Sequence, residues 1–172
     1  MNRWDRYFLN ICKSVANNSP CFSRKIGVII VRDKSIISTG YNGPPRGIPH
    51  CNERYDLDNK LISELNKRNI SVDSINKFQC PRRVLGFSSG EGLEWCYAVH
   101  AEVNAITNAA RLGHSVNGTT MYMTCNIPCF RCMNVIINAG ISELVVTDLS
   151  YYDPQTTFLL KNSNLKIRVF DL

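Results

Sequence analysis

Residues 119–172 alternate β-rich runs with helix-like ones: "TTMYMT", "CFRCMNVIINAG" ended by Gly140, "ELVVT", "FLLKNSN" and "LKIRVF". This alternation is the tightest constraint on the fold, because strands joined through helices pair in parallel and need those helices packed against the sheet. Upstream, "KIGVIIVRDKSIISTGYNG" holds two β-rich stretches, 26–31 and 35–39, around the turn-like "RDK", which predicts an antiparallel hairpin. Trp4, Phe8, Ile11, Cys12 and Val15 recur at helical spacing until "NNSP" stops them, and 99–112 reads as a second helix ended by Gly113. Alanines at 101, 105, 109 and 110 allow that helix to pack closely. The pattern predicts an α/β layered fold containing parallel strand pairs.

Between hairpin and helix the chain changes character. Residues 44 to about 96 contain "PPRGIP", a polar amphipathic segment near 59–67 and the turn-rich "PRRVLGFSSGEG", so they are expected to be an insertion in a single domain spanning 1–172. The N-terminus is charged and has no apolar core, and no run is long enough to span a bilayer. The expected compartment is therefore the reducing cytoplasm, where eight cysteines are better read as metal ligands and core residues than as disulfides. A net charge of +6 favours an anionic partner, be it a nucleotide, a nucleic acid or bulk polyanion.

Two short stretches carry chemistry. In "PCFRC", Cys129 and Cys132 fall three apart at a helix start, on one face and beside the unpaired N–H groups that favour thiolates. A thioredoxin-like redox pair has the same spacing. In "YAVHAEVNAI", His100 and Glu102 interrupt an apolar run, and a lone buried histidine is commonly a hydrogen-bonded core residue. Taken together the stretches are more specific. Ligation by His100, Cys129 and Cys132 leaves tetrahedral zinc one open position, the mark of a catalytic site, where zinc lowers the pKa of a water toward about 7. Glu102 is then the proton carrier.

The combination "HAEVNAI" with "PCFRC" resembles the cytidine deaminase superfamily, whose H-x-E and P-C-x-x-C signature is a documented pattern for zinc deaminases. Within it, "KIGVIIV", "STGYNGPPRGIPHC", "SGEGLEWCYAVHAEVNAI", "AARLG" and "MYMTCNIPCFRCMNVIINAGI" resemble the deoxycytidylate (dCMP) deaminases over most of residues 21–146. One departure is an extra residue between "MYMT" and Pro128. The resemblance implies a three-layer α-β-α sandwich around a mixed five-stranded sheet. It also implies hydrolytic deamination of dCMP to dUMP and ammonia, supplying thymidylate synthesis, with zinc on His100, Cys129 and Cys132 and Glu102 as general acid and base.

The same resemblance implies substrate contacts at Asn42, Ala101, Arg111 and Tyr152, with Tyr151 as an alternative to Tyr152. Read alone, Asn42 is equally a turn residue before Gly43, and Arg111 equally a solvated surface cation. An effector loop is expected around Asn42, Gly43 and Arg46, taking dCTP with Mg2+ as activator and dTTP as inhibitor in a hexamer. Cys21, Cys51, Cys80 and Cys96 are expected to form a closed structural zinc centre tying the insertion to the first hairpin. His50 is the alternative ligand, in place of Cys21. Cys12 reads as a small core residue. The competing readings are a tRNA adenosine deaminase, which shares the zinc motif but not the cysteine-bearing insertion, and a non-catalytic zinc module, which has no use for Glu102.

Overall fold

The computed structural model describes residues 2–172. In chain order its elements are α1 (Arg3–Asn17), β1 (Gly27–Arg32), β2 (Ser35–Tyr41), α2 (Cys51–Leu57), α3 (Asn59–Lys67), α4 (Pro81–Val84), α5 (Ala101–Arg111), β3 (Thr120–Met123), α6 (Phe130–Asn138), β4 (Glu143–Val146), α7 (Gln155–Lys161) and β5 (Lys166–Val169). Short 3₁₀ turns occupy Val72–Ser74 and Leu93–Trp95. The chain forms two compact units, one comprising residues up to Ser19, Ile26–Asn42 and His100–Leu172, the other Pro20–Lys25 and Gly43–Val99.

The first unit is built on one sheet of order β2-β1-β3-β4-β5. β1 pairs antiparallel with both β2 and β3, and β3, β4 and β5 run parallel, so the sheet is mixed as expected. The uninterrupted "GVIIV" run of β1 follows from burial on both faces. Ile29 and Val31 pack with Phe8, Leu9 and Cys12 of α1, while Val28 and Ile30 pack with Ala101, Ala105 and Ala109 of α5 and with Cys132, Met133 and Ile136 of α6. Leu159 and Leu160 of α7 join that second layer, which completes the three-layer sandwich. Cys12 is fully buried, donates its thiol to the Tyr122 carbonyl and has its pKa pushed up to about 12 by burial, as befits an inert core residue.

The approach of α5 to β2 is closer than ordinary packing requires. A Cβ on Gly40 would lie 2.3 Å from the Ala105 nitrogen and 2.4 Å from the Ala101 carbonyl oxygen, so only glycine admits this approach. Side chains then stitch helix to strand: Ser38 Oγ donates to Ala105 O (2.7 Å), Asn104 Nδ2 to Tyr41 O (2.8 Å) and Asn108 Nδ2 to Thr39 O (2.9 Å). These bonds fix α5, and with it the residues at its start. At the far edge, fully buried Asp5 of α1 binds both terminal nitrogens of Arg168 on β5, and Arg168 Nε reaches Glu143 at 3.1 Å.

The second unit has a small core of Tyr55, Leu61, Leu65, Leu85 and Trp95. Buried Arg54 supports it, paired with Asp58 (2.8 Å), donating to Trp95 O (2.8 Å) and stacked 4.0 Å from the Tyr97 ring. The ends of the long segment meet in a two-way backbone bridge between Gly43 and Val99. The expected insertion of about 44–96 lies inside this unit, and the segment near 59–67 is α3, capped by Asp58 Oδ1 on the Leu61 N–H. Sequence periodicity did not reveal α2 and α4, which are seven and four residues long. Among the described residues no helix is long and apolar enough to cross a membrane.

Candidate active site

Two helix starts in the first unit meet at one point. His100 is extended (φ −68°, ψ 150°) and forms the N-cap of α5, so this helix begins two residues later than its apolar pattern suggests. Cys129 (φ −62°, ψ 157°) occupies the same position on α6, and Cys132 is the third residue of that helix. The His100 side chain makes no capping bond to its own helix, and the Cys129 sulfur is engaged with Cys132 and His100. His100 Nδ1 lies instead 3.2 Å from Cys132 Sγ and 3.6 Å from Cys129 Sγ.

These distances suit one tetrahedral zinc ion. With Zn–S near 2.3 Å and Zn–N near 2.0 Å, the nitrogen and each sulfur would stand about 3.5 Å apart. Among the described residues, His100, Cys129 and Cys132 are the one set of three whose ligand atoms all lie within 4.8 Å of one another. Their protonation fits a cation. The Cys129 thiol is pulled down to about 4, first by the hydrogen bond from Cys132 and then by His100, while Cys132 is pushed up because it supplies that proton and is buried. His100 is shifted upward chiefly by its bond with Cys129. Glu102, in the first turn of α5, is 4% exposed and interacts electrostatically with both His100 and Cys132.

The remaining expected residues are more dispersed. Ala101 is fully buried beside His100. Asn42 is buried too, and its Oδ1 accepts from the Ile26 N–H (2.8 Å) and Ser19 Oγ (3.0 Å), so its amide oxygen serves the hairpin's own structure. Arg111 is exposed at the opposite end of α5, about 15 Å from Ala101 along the axis by helical rise. Tyr151 and Tyr152 are half-exposed, and Tyr151 is bridged to Ile127 just ahead of the Cys129 turn. Gly43 and Arg46 belong to the second unit. Sequence reasoning passed over Cys125, the extra residue's neighbour: it is buried and close enough to Cys132 to help raise it. It also passed over Asp153, whose carboxylate accepts the Phe130 N–H at 2.8 Å.

Cys21, Cys51, Cys80 and Cys96 come together within the second unit, where with His50 they line a cavity of about 30 Å³. Burial, followed by Cys80, raises the Cys51 thiol to about 11, and Cys96 and Cys21 add to this. Cys21 Sγ accepts the Ser23 N–H at 3.4 Å.

Comparison with known proteins places the arrangement. The family model described as "Cytidine and deoxycytidylate deaminase zinc-binding region" matches residues 2–148. A curated deoxycytidylate deaminase of Enterobacteria phage T2 is 35% identical over 171 residues, covering 92% of this chain and 88% of its own. That of Schizosaccharomyces pombe is 32% identical over 97% of this chain, which spans only 44% of the fungal protein. Among solved structures, the cyanophage S-TIM5 dCMP deaminase in complex with dCMP and dUMP has the same fold, with a TM-score of 0.65 at 19% identity over 98% of both chains.

Proposed function

Because the chain belongs to the cytidine and deoxycytidylate deaminase family, we propose that it hydrolyses dCMP to dUMP and ammonia in the cytoplasm, supplying thymidylate synthesis. The observation that carries this reading is the His100–Cys129–Cys132 triangle with Glu102 buried beside it. Those three residues would hold zinc, and bound zinc supplies a Lewis acid that readies water for attack at neutral pH. Glu102 takes a proton from the attacking water and delivers it to the base, so that C4 exchanges its amino group for oxygen. Its burial limits proton exchange with bulk solvent. Ala101 lies against the base, Asn42 contacts base or sugar, and Tyr152 or Tyr151 with Arg111 takes the phosphate. The extended nucleotide and arginine's own length bridge the distance along α5.

The second cluster is proposed to be a structural zinc site of Cys21, Cys51, Cys80 and Cys96, with His50 as the alternative to Cys21. Convergence on one small cavity and the N–H bond to the Cys21 sulfur support it. Regulation is proposed through Asn42, Gly43 and Arg46, with dCTP and Mg2+ activating and dTTP inhibiting a hexamer. Gly47, at φ 77°, gives this loop the backbone freedom to approach phosphate.

A panel of dCMP, CMP, dCTP, deoxycytidine and tRNA, each with and without dCTP and Mg2+, tests the reading. dUMP from dCMP, with turnover sigmoidal in dCMP and made hyperbolic by dCTP, is the expected outcome. Inosine in tRNA with no turnover of free nucleotides would overturn the substrate, and rates unaltered by dCTP would overturn the regulation.

A further inference from the structure

The turn that presents Cys129 is held by a carboxylate from elsewhere in the chain. A helix start leaves backbone N–H groups without intrahelical partners, and the N-cap side chain ordinarily accepts one. In α6 the N-cap is Cys129, whose sulfur turns to Cys132 and His100 and leaves the Phe130 N–H to another acceptor. Asp153 takes over the missing role: its Oδ2 accepts from Phe130 N–H, the first residue of α6, at 2.8 Å. Its Oδ1 accepts from the Thr156 N–H (3.0 Å) and Thr156 Oγ1 (2.9 Å), which caps α7. Thr156 is fully buried, and its hydroxyl also lies 3.3 Å from the Pro128 carbonyl oxygen. One carboxylate and one hydroxyl therefore grip both sides of Cys129, at Pro128 and at Phe130.

The surrounding segment follows the same course. Thr147 N–H donates to Cys125 O at 3.0 Å, Asn126 Nδ2 reaches Ser150 O at 3.1 Å, and Tyr151 bridges Ile127. Residues 147–156 thus run beside 125–130 and end in the Asp153–Thr156 grip.

We propose that Asp153 is a positioning residue of the metal centre, acting through the Phe130 N–H to fix the Cys129 sulfur, with Thr156 as its support. This rests on the reading that His100, Cys129 and Cys132 hold zinc. A residue that merely capped α7 would affect stability alone, whereas a residue that orients a metal ligand changes how firmly the metal is held. Partners of that kind typically account for a ten- to hundredfold change in affinity or activity.

The test follows zinc transfer from the purified zinc-loaded protein to a chromogenic chelator, alongside kcat for dCMP and the thermal midpoint. Asp153→Ala is expected to release one zinc equivalent about ten- to hundredfold faster and to lose kcat by a similar factor. Asp153→Asn retains one carbonyl acceptor and should recover part of both, and Thr156→Val should shift both in the same direction by less. Asn2→Ala removes the cap that α1 gains when Asn2 Oδ1 accepts the Trp4 N–H, and should lower the midpoint without altering zinc release. Wild-type zinc release in Asp153→Ala would overturn the proposal. If that variant does not fold, wild-type release in both Asp153→Asn and Thr156→Val would overturn it equally. Absence of zinc from the wild type defeats the metal reading and this one with it, while zinc held with unchanged release in the variants defeats this one alone.

Discussion

The two cysteine clusters of this chain are built on different foundations. His100 and Cys129 are caps of helices locked to a sheet: α5 by the Gly40 approach and three side-chain bonds to β2, α6 by burial of Cys132, Met133 and Ile136 in the larger core. Their ligand atoms are gathered before any ion is considered. Cys51 opens the short helix α2, Cys80 precedes α4, Cys96 follows a 3₁₀ turn and Cys21 lies in a loop; all four line one cavity in a unit whose core has five buried residues. On the proposed reading, the first is a site whose place folding prepares, and the second is one where a metal would complete the folding.

The sharpest break of that comparison is at Glu102, because a carboxylate beside the ligands that binds no metal itself matters only where chemistry occurs. Glu102→Gln should lower kcat for dCMP by about 10²–10⁴-fold, the usual contribution of a positioned acid and base, while zinc content and thermal midpoint stay at wild-type values. Wild-type turnover would return the first site to a structural role.

Next in size is a pair of matched substitutions. Cys129→Ser should abolish turnover and one zinc equivalent with only a few degrees' change in midpoint, since α5 and α6 keep their packing. Cys80→Ser should also remove one zinc equivalent, but should lower the midpoint by roughly 10 °C and expose residues 43–99 to protease, since loss of a structural ion costs several kcal/mol. Equal midpoints in the two variants would erase the distinction drawn between the clusters.

Much of the first site was legible in sequence for a physical reason. His100, Glu102, Cys129 and Cys132 lie at short fixed spacings, and periodicity located the helices that bear them, although it ran α5 back to residue 99, where the structure has extended backbone. The apolar strands were legible because sheet burial writes continuous or alternating patterns. What spacing cannot express is an arrangement across the fold. Asp153 meets Phe130 from 23 residues away, and nothing in "YYDPQT" distinguishes it from an ordinary helix cap. Nothing in "STGYNG" marks Gly40 out until the strand is seen pressed against α5. α2 and α4 were missed because helices of seven and four residues complete too few turns to show a period.

Acid gives the subtlest test of the same comparison. Burial alone would raise the Asp5 carboxyl, but the Arg168 guanidinium and the Asp171 N–H outweigh it and hold it below the ordinary carboxylate value. A depressed folded pKa means that Asp5 contributes its full stability above about pH 4, its unfolded value, and loses it as pH falls through the folded one. Asp5→Asn should therefore cost about 1–3 kcal/mol at neutral pH, as for loss of a charged hydrogen-bonded group, with the deficit shrinking below pH 4. Thiolate ligands are protonated in milder acid than that, so if the second unit holds the proposed structural zinc it should open first. Protease mapping along an acid titration should show cleavage within residues 43–99 at higher pH than cleavage within 100–172, and Asp5→Asn should move the second event while leaving the first in place. Simultaneous cleavage of both regions would erase the distinction in metal dependence proposed for the two units.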